Sequence, residues 1–381
     1  MEKPSLRRAV QIGTKLFSRG DYTLTFDQLE FPLRNLPFRK RLNFLIQGMQ
    51  WLMRPVHRFG FPLILQIEPT NICNLKCATC ASGAGIITRS PSFMPFDLYR
   101  KVIDQVKDYV CLLVFWSWGE PFLHRDAIRM IRYAKDKGLL VHTSTNGHFF
   151  NTRELACRVI ESGLDSLIVA VDGLDQPTYE KYRKGGMLNV VLKSIENLVS
   201  ERDAAGVEHP RITFRFIVMR HNEHQVGRVL DFAERLGVDV VTFRAPVVRR
   251  GSVDLEGTLT PLYNEFQRYN YSGLPAMGLR LRHNQFSCRR PYANLTIFSN
   301  GDVVPCENDY NGTLPLGNVG SQSLHDIISS TKSRSFFQVF RRDFDKFPFC
   351  RGCEVRDMKY PTSNVRTHVL NRKCLKYEKV T

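Results

Sequence analysis

Short β-rich segments alternate with helical segments between about residue 61 and residue 245 of this chain. The helical segments have apolar residues three to four positions apart, and four of them stop at a glycine, where a left-handed cap commonly ends a helix. These glycines are Gly138, Gly163, Gly206 and Gly237. The six β-rich runs are residues 61–67, 112–115, 139–143, 166–171, 212–219 and 240–243. Strands that alternate with helices pair in parallel through right-handed crossovers. The sequence therefore predicts an α/β fold with a barrel-like sheet and an active site at the carboxyl ends of its strands.

Three cysteines directly follow the first of these strands. Cys73, Cys77 and Cys80 have the spacing CxxxCxxC. Three thiolates can hold three irons of a 4Fe-4S cluster and leave the fourth iron open to a small chelating ligand. A CxxC pair by itself is also compatible with zinc or with thiol redox chemistry. The next two strands are followed by the motifs Gly119-Glu120 and Asn146-Gly147. All three motifs are therefore expected on one rim of the barrel.

Taken together, the cysteine triad and the Gly119-Glu120-Pro121 element resemble the radical S-adenosylmethionine (SAM) superfamily. The resemblance implies a partial (β/α)6 TIM-like radical SAM barrel. It also implies a SAM-binding 4Fe-4S cluster, whose open iron is chelated by the amine and the carboxylate of SAM. In this family an electron from the cluster cleaves SAM to a 5'-deoxyadenosyl radical, which abstracts hydrogen from the substrate.

The resemblance implies which residues contact SAM, because they occupy the matching positions of the family's motifs. The cofactor-binding candidates are Gly119, Glu120, Asn146, Asp172, Arg183 and Met219. Gly119 and Glu120 match the motif that meets the methionine amine through backbone and carboxylate. Arg183 matches the partner of the SAM carboxylate or ribose, and a guanidinium suits a carboxylate because it can donate two charge-assisted hydrogen bonds. Met219 would lie beside the adenine.

The fourth-strand segment departs from the family pattern at one position. A serine is common there, and this chain has Ala170. Asp172 or Ser144 would then substitute for that serine. The residues also allow simpler interpretations, in which Asp172 belongs only to a turn and Arg183 is a solvated helix residue.

Four further cysteines lie beyond residue 285: Cys288, Cys306, Cys350 and Cys353. Asn300-Gly301 between apolar runs predicts a β-hairpin, which would bring Cys306 near Cys288. This segment resembles the SPASM/twitch extension of radical SAM enzymes, and four thiolates can hold a second, auxiliary 4Fe-4S cluster. Only Cys374 remains downstream, which favours the shorter, twitch-like version with one auxiliary cluster. The same four ligands also allow a structural zinc site.

Two carboxylates beside Cys306 are the candidate catalytic bases. Glu307 and Asp309 would border a substrate that lies between the two clusters, and a deprotonation step needs a base nearby. The simpler interpretation is that each is a solvated loop carboxylate. Cys374 or Cys111 would become the hydrogen-donor candidate if the reaction were an epimerisation.

The first sixty residues carry eleven Lys or Arg and four Asp or Glu. After Arg39-Lys40-Arg41 there is a helical apolar stripe: Leu42, Leu45, Ile46, Met49, Leu52 and Met53. A basic amphipathic helix can lie on an anionic membrane surface, or it can cover the open side of an incomplete barrel. The formal net charge of +17 suggests an anionic partner or substrate. Nucleic acid is disfavoured because no aromatic-rich RNA-binding module is evident.

Five segments are expected. They are a basic, partly helical N-terminal segment (1–60), the barrel (61–250), a linker (251–285), the auxiliary-cluster domain (286–360) and a basic tail (361–381). The N-terminal residues lack the apolar core of a signal peptide, and no apolar run approaches the roughly 20 residues of a membrane span. We expect a cytoplasmic protein with metal-ligating cysteines, with peripheral contact to a membrane as an option.

These observations predict a radical SAM oxidoreductase with two 4Fe-4S clusters and SAM. The expected reaction is dehydrogenation of a hydroxylated small molecule, such as a carbohydrate or aminocyclitol, with the auxiliary cluster oxidising the substrate radical. The expected electron donor is a reducing partner such as flavodoxin or ferredoxin. The alternatives are a peptide maturase, an epimerase, and an RNA- or membrane-associated modifying enzyme with a structural four-cysteine site. The N-terminal segment is short for a winged-helix domain that binds leader peptides, which favours the small molecule.

Overall fold

A computed structural model describes most of the 381-residue chain. The described residues are 14, 16, 18–247, 259–267, 288–351, 353 and 364–371. The predicted linker is therefore described only at 259–267, and Cys374 lies outside the described residues.

One mixed sheet of ten strands organises the described chain, and a separate two-stranded hairpin precedes it. The strands are β1 (Tyr22–Phe26), β2 (Leu29–Leu33), β3 (Ile64–Ile67), β4 (Leu112–Val114), β5 (Leu140–Thr145), β6 (Ser166–Ala170), β7 (Arg211–Ile217), β8 (Val240–Arg244), β9 (Asn294–Ile297), β10 (Asp302–Val304), β11 (Gly317–Asn318) and β12 (Asn364–Val369). The sheet has the order β11-β10-β9-β3-β4-β5-β6-β7-β8-β12. Strands β9 and β3 to β8 are mutually parallel, whereas β10, β11 and β12 are antiparallel to their neighbours.

The α-helices of the described residues precede, connect or follow the parallel strands of the sheet. They are α1 (Phe38–Met53), α2 (Phe96–Val106), α3 (Ala127–Asp136), α4 (Arg153–Glu161), α5 (Gln176–Tyr182), α6 (Leu188–Ala204), α7 (Val226–Arg235), α8 (Arg290–Ala293), α9 (Leu324–Ser329), α10 (Thr331–Arg342) and α11 (Pro348–Arg351). The six predicted strands are β3 to β8, and the predicted α/β fold is confirmed. The four glycines predicted to end helices have φ angles between +65° and +76°, as a left-handed cap requires.

The N-terminal hairpin β1–β2 fills the concave side of the sheet. Leu24 and Phe31 of the hairpin belong to one buried cluster with Leu112, Val114 and Ile168, which project from the sheet. The alternate sheet residues pack instead against the helices, as the two-residue period of a strand requires. The sequence reading missed this hairpin.

The hairpin tip reaches the level of the strand carboxyl ends. Asp27 and Gln28 have φ angles of +53° and +60°, which suits a two-residue hairpin turn. The Asp27 carboxylate lies 2.5 Å from Arg215 Nη2 and 3.5 Å from Arg244 Nη2. Arg244 is the last residue of β8, so the hairpin occupies the barrel interior up to the floor of the active-site rim.

Helix α1 lies at the opposite end of the barrel. Lys40 Nζ donates to Gly138 O at 2.9 Å, and Asn43 Nδ2 donates to Phe61 O at 3.0 Å and Tyr109 O at 3.1 Å. These three acceptors precede β5, β3 and β4. The helix therefore covers the amino ends of the strands, away from the cysteine motifs.

The C-terminal domain extends the barrel sheet. The predicted hairpin is confirmed as β9–β10, with Val303 opposite Ile297 and Gly301 at φ +88° in the turn. Strand β9 pairs in parallel with β3, so this region continues the main sheet. No helix of the described residues is both long and apolar enough to cross a membrane.

Candidate functional site

The three cysteines after β3 face one small apolar cluster. Leu75, Tyr182 and Met219 are buried in that cluster, and Cys73, Cys77 and Cys80 belong to it. The predicted adenine neighbour, Met219, thus lies beside the cysteine loop and is fully buried. This confirms that the strand-end motifs come together, while its role as an adenine contact stays a prediction.

N–H donors point at two of the three sulfurs. Leu75 N donates to Cys73 Sγ at 3.4 Å, and Arg183 Nη1 donates to Cys77 Sγ at 3.6 Å. Asn146 Nδ2 lies 4.0 Å from Cys73 Sγ. Iron-bound thiolates accept such bonds, which tune iron-sulfur sites. The donor set fits a 4Fe-4S cluster held by these cysteines.

Burial makes these thiols weak acids. It raises the pKa of Cys73 to about 12 and that of Cys77 to about 11. Without metal, both thiols are therefore protonated at neutral pH. Iron must displace these protons, because the thiolate is the metal ligand.

Gly119 brings the second motif against the cysteine loop. Its amide donates to Ser82 Oγ at 3.0 Å, and the amide of Glu120 donates to Ile72 O at 2.8 Å. Gly119 has a φ of +88°, and a Cβ added there would lie 2.4 Å from Thr70 O. Glycine is required at this position by both the backbone angle and the close approach.

The Gly119→Ala variant is expected to lose SAM binding and cleavage. The left-handed conformation alone costs an alanine roughly 1–2 kcal/mol, and the backbone contact with Thr70 adds to this. Gly206→Ala is the matched control, because Gly206 has a φ of +65° but nothing within 4 Å of an added Cβ. Equal loss of SAM binding in the two variants, measured by equilibrium dialysis, would contradict the close-approach argument.

The Glu120 carboxylate is buried and connects the second motif to the third. It accepts from Asn146 N at 2.7 Å, Thr145 Oγ1 at 2.9 Å and Phe122 N at 3.2 Å. Burial raises its pKa to about 7 despite these bonds. A neighbouring cation would keep the carboxylate ionised at neutral pH, and the ammonium group of SAM fits this requirement.

Asn146 joins the third motif to the cysteine loop. Its Nδ2 donates to Asn74 Oδ1 at 2.7 Å, and its Oδ1 accepts from His148 N at 3.2 Å. The side chain is buried. Asn146 therefore holds two loops of the rim together, whatever contact it makes with a cofactor.

Asp172 and Arg183 form a buried ion pair beside Cys77. Arg183 Nε donates to Asp172 Oδ2 at 2.5 Å, and Asp172 Oδ1 accepts from Ile217 N at 2.7 Å. Burial by itself would lower the pKa of Arg183, but Asp172 and Cys77 outweigh it and raise the pKa well above its usual value. The interpretation of Arg183 as a solvated helix residue is therefore wrong, and Asp172 makes an ion pair in addition to its place in the turn. Arg183 remains our predicted partner for the SAM carboxylate.

The sequence reading missed an ion pair at the end of β3. Arg89 Nη1 and Nη2 each donate to the Glu68 carboxylate at 2.8 Å, and both side chains are almost completely buried. Arg89 Nε also donates to Tyr310 O at 2.8 Å, and its guanidinium lies 3.8 Å from the centre of the Phe298 ring. The available signal was Glu68 itself, a charged residue directly after an apolar strand.

The four C-terminal cysteines line one pocket. Cys288, Cys306, Cys350 and Cys353 share it with Phe340, Phe344 and Phe349, among others. Asn308 Nδ2 donates to Cys353 Sγ at 3.2 Å. Burial raises the pKa of Cys306 well above its usual value. In the described part of the chain, no three His, Cys, Asp or Glu side chains form a group that could hold a single metal ion. The donor set and the pocket fit an auxiliary 4Fe-4S cluster.

The auxiliary pocket adjoins the SAM motif. Trp118 Nε1 donates to Glu307 O at 3.1 Å, and the Trp118 ring lies 5.9 Å from that of Tyr310. Trp118 precedes Gly119, and Glu307 follows Cys306. This contact joins the loop after β4 to the loop that carries Cys306.

The two predicted bases have different surroundings. Glu307 is partly exposed, and its Oε1 lies 2.7 Å from Arg290 Nη1. Asp309 is buried, and its carboxylate accepts from Thr313 N at 2.8 Å, Thr313 Oγ1 at 2.7 Å and Leu314 N at 2.8 Å. Asp309 is neither a solvated loop residue nor well placed as a base, because its oxygens hold its own loop. Both remain predictions as bases, and Glu307 is the more accessible of the two.

Two family models match this architecture. Residues 67–233 match the radical SAM superfamily, and residues 288–354 match SPASM, an iron-sulfur cluster-binding domain. The chain therefore belongs to the radical SAM superfamily and carries a C-terminal SPASM domain. A radical SAM domain implies a 4Fe-4S cluster and SAM, and a SPASM domain implies an additional iron-sulfur cluster, as predicted.

Known relatives support this placement. The chain is 27% identical over 326 residues to the tungsten-containing aldehyde ferredoxin oxidoreductase cofactor-modifying protein of Pyrococcus furiosus. The aligned region covers 77% of this chain and 87% of the relative. It is 28% identical over 196 residues to the mycofactocin maturase MftC of Mycobacterium ulcerans, covering 51% of each chain. The fold is similar to that of Streptococcus suis SuiB bound to its precursor peptide SuiA, with a TM-score of 0.57 at 15% identity, covering 92% of this chain and 82% of that chain.

Proposed function

We propose that this radical SAM enzyme dehydrogenates a hydroxylated small molecule, such as a carbohydrate or an aminocyclitol. The observation that carries the proposal is the hydrogen bond from Trp118 Nε1 to Glu307 O, which connects the SAM motif to the auxiliary pocket. A second site this close favours oxidation of the substrate radical, because among the outcomes of hydrogen abstraction only oxidation requires an electron acceptor.

Each group of residues has a defined part in the proposed reaction. When bound, SAM and its cluster would supply the 5'-deoxyadenosyl radical, and the auxiliary cluster would supply a one-electron acceptor. Cys73, Cys77 and Cys80 would hold the first cluster, while Glu120 and Arg183 would orient the ammonium and carboxylate ends of SAM.

In the proposed reaction the substrate would lose two hydrogens overall. The substrate would give one hydrogen atom to the radical that bound SAM supplies, then one electron to the auxiliary cluster and one proton to a base. Glu307 is the candidate acceptor for the proton, and its ion pair with Arg290 at 2.7 Å orients the carboxylate. The electron would then return from the auxiliary cluster to the first cluster, so that SAM and substrate become methionine, 5'-deoxyadenosine, product and one proton, with SAM as the net oxidant.

The filled barrel interior supports a small substrate. The tip of the hairpin β1–β2 reaches Arg244 at the carboxyl end of β8, so space for a substrate lies above this level. We further propose a single auxiliary cluster held by Cys288, Cys306, Cys350 and Cys353, a flavodoxin or ferredoxin as reductant, and a cytoplasmic location.

Modification of a peptide or of another protein's cofactor is the second candidate. The relative from Pyrococcus furiosus is named for modifying the cofactor of a tungsten-containing enzyme, and the relative from Mycobacterium ulcerans is named as a maturase. The similarity to the maturase extends over about half of each chain. The experiment therefore tests peptide substrates as well as small molecules.

A mass-spectrometric assay is expected to show a product two hydrogens lighter than its substrate. Reconstituted enzyme, SAM and dithionite would be incubated anaerobically in D2O with small-molecule and peptide fractions from cells that lack the gene. Each turnover should form one 5'-deoxyadenosine. Cys350→Ala should still form 5'-deoxyadenosine but little product, because it removes a ligand of the auxiliary cluster, whereas Cys157→Ala should behave as wild type.

Two outcomes would contradict the proposed dehydrogenation. A product of unchanged composition with one solvent-derived deuterium would identify an epimerase. A product found only in the peptide fraction would identify a maturase.

A further inference from the structure

Helix α1 packs on the barrel through its polar side. Its buried residues are Lys40, Asn43, Gln47 and Gln50. Gln50 Oε1 accepts from Phe59 N at 2.7 Å, and Gln50 Nε2 donates to Tyr292 O at 3.4 Å. Most of the polar face of this amphipathic helix is therefore bonded to the protein, and the opposite face is turned outward.

The outward face is apolar. Eleven large hydrophobic side chains are exposed in the described part of the chain, and six of them lie between residues 38 and 59. These six are Phe38, Leu42, Met49, Leu52, Met53 and Phe59, with 43% to 70% of each residue exposed. At 3.6 residues per turn, the five that belong to α1 lie within an arc of about 100°, opposite the buried polar residues. Single exposed hydrophobic residues are ordinary, but a contiguous patch indicates an interaction surface.

The charged residues of the chain segment that forms this face are all basic, and one of them, Arg39, pairs with Asp108. No Asp or Glu occurs between Glu30 and Glu68, whereas this interval contains six Lys or Arg and His57. Arg289 lies 4.2 Å from the centre of the Trp51 ring. Burial raises the pKa of the Tyr292 hydroxyl, while Arg54, Arg341 and Arg58 each act to lower it. Several guanidinium groups therefore gather at the C-terminal end of α1.

Arg58, five residues beyond the end of α1, is a buried cation. It is 5% exposed, and none of its three guanidinium nitrogens has a hydrogen-bond partner among the described residues. The Nε2 of Gln47 is likewise buried without a partner there. Burial lowers the pKa of Arg58 to about 10. Buried cations are normally paired, so the Arg58 guanidinium suits an anionic oxygen ligand.

We propose that the face of α1 formed by Phe38, Leu42, Met49, Leu52 and Met53, together with Phe59, docks this protein on an anionic phospholipid bilayer. The apolar stripe enters the boundary between headgroups and acyl chains, and the arginines at its edge meet the phosphates. A basic amphipathic helix binds bilayers in this way. Charge selects this occupant over a second copy of the chain, since two copies would bring the same cationic surfaces together.

Docking leaves the active-site rim free. Helix α1 covers the amino ends of β3, β4 and β5, whereas the cysteine motifs follow the carboxyl ends of their strands. The bilayer would therefore lie opposite the SAM site. This inference does not depend on the proposed dehydrogenation.

Vesicle flotation of the full-length holoenzyme tests the proposal. The protein is expected to float with phosphatidylcholine vesicles that contain phosphatidylglycerol and to remain in solution with phosphatidylcholine alone. Leu52→Gln with Met53→Gln should lower the bound fraction at least tenfold. The control pair Met187→Gln with Leu262→Gln, at residues 54% and 62% exposed elsewhere on the surface, should bind as wild type.

Arg58→Met tests the anionic site separately. It should weaken binding to the anionic vesicles severalfold without lowering the thermal unfolding midpoint, because it removes an unpaired buried charge. Added salt should also weaken binding.

Four outcomes would overturn the proposal. The first is binding to neutral vesicles as strong as to anionic ones, and the second is undiminished binding of the Leu52/Met53 variant. The third is a concentration-dependent dimer, abolished by that variant, with no flotation; the face would then bind a second copy. The fourth is that the wild type does not float and that the Leu52/Met53 variant has a lower thermal unfolding midpoint than the wild type. That result would show that another part of this chain covers the face.

Discussion

Replacement of Cys73, Cys77 and Cys80 by alanine is expected to abolish SAM cleavage and to leave a folded chain with about half its iron. The reconstituted wild type should contain about eight irons per chain, four for each 4Fe-4S cluster, and essentially no zinc. The three cysteines pack against the side chains of Leu75, Tyr182 and Met219. The other four cysteines line a separate pocket. Loss of the first set therefore leaves the second set intact.

Metal analysis and chromatography of 5'-deoxyadenosine measure this result. Cys157→Ala is the matched control, because Cys157 lies on α4 and belongs to neither cysteine site. Undiminished SAM cleavage in the triple variant would refute the cofactor site. About four irons with one tightly held zinc in the wild type would show that the C-terminal cysteines form a zinc site.

Arg89→Ala is expected to destabilise the protein by about 3–5 kcal/mol, the usual effect of leaving a buried charge without its partner. Glu68 is completely buried, and both of its oxygens accept from Arg89 at 2.8 Å. The same carboxylate accepts from Ser299 Oγ at 3.0 Å and lies 3.4 Å from Trp118 N. We therefore expect SAM cleavage to fall as well, because Trp118 leads into the Gly119-Glu120 motif.

Denaturant unfolding of the apo and reconstituted protein measures the loss. Arg153→Ala removes an exposed ion pair with Glu201 and should leave the midpoint nearly unchanged, since exposed pairs contribute little. The double variant Glu68→Gln with Arg89→Ala should recover part of the stability, because it removes the uncompensated carboxylate. Equal midpoints for Arg89→Ala and Arg153→Ala would show that the buried pair does not stabilise the fold.

The features predicted correctly from the sequence are those encoded by neighbouring residues. The helix-ending glycines depend on one backbone angle each, and all four have the expected positive φ. The β9–β10 hairpin depends on the local pair Asn300-Gly301. The spacings of the two cysteine sets indicated the radical SAM and SPASM domains that the family matches confirm. Short-range spacing determines these features because the groups concerned are held together by a few consecutive peptide units.

The orientation of single side chains at the site could not be predicted from the sequence. Asp309 was predicted as a candidate base because it lies near Cys306, yet its carboxylate holds its own loop through Thr313 and Leu314. Sequence spacing showed which residues are close along the chain, but not which way each carboxylate points.

The sequence by itself determined the order of strands and helices, the two cysteine sites and the amphipathic pattern of α1. Only the tertiary structure decided how these parts meet. It paired Glu68 with Arg89 and connected them to Tyr310, more than two hundred residues away. It also placed the hairpin β1–β2 inside the barrel and turned the polar face of α1 inward. An apolar periodicity shows that a helix has two faces, but the face that is buried depends on which acceptors and donors the rest of the fold presents. Here those groups include Phe61 O, Tyr109 O and Gly138 O at the amino ends of three strands.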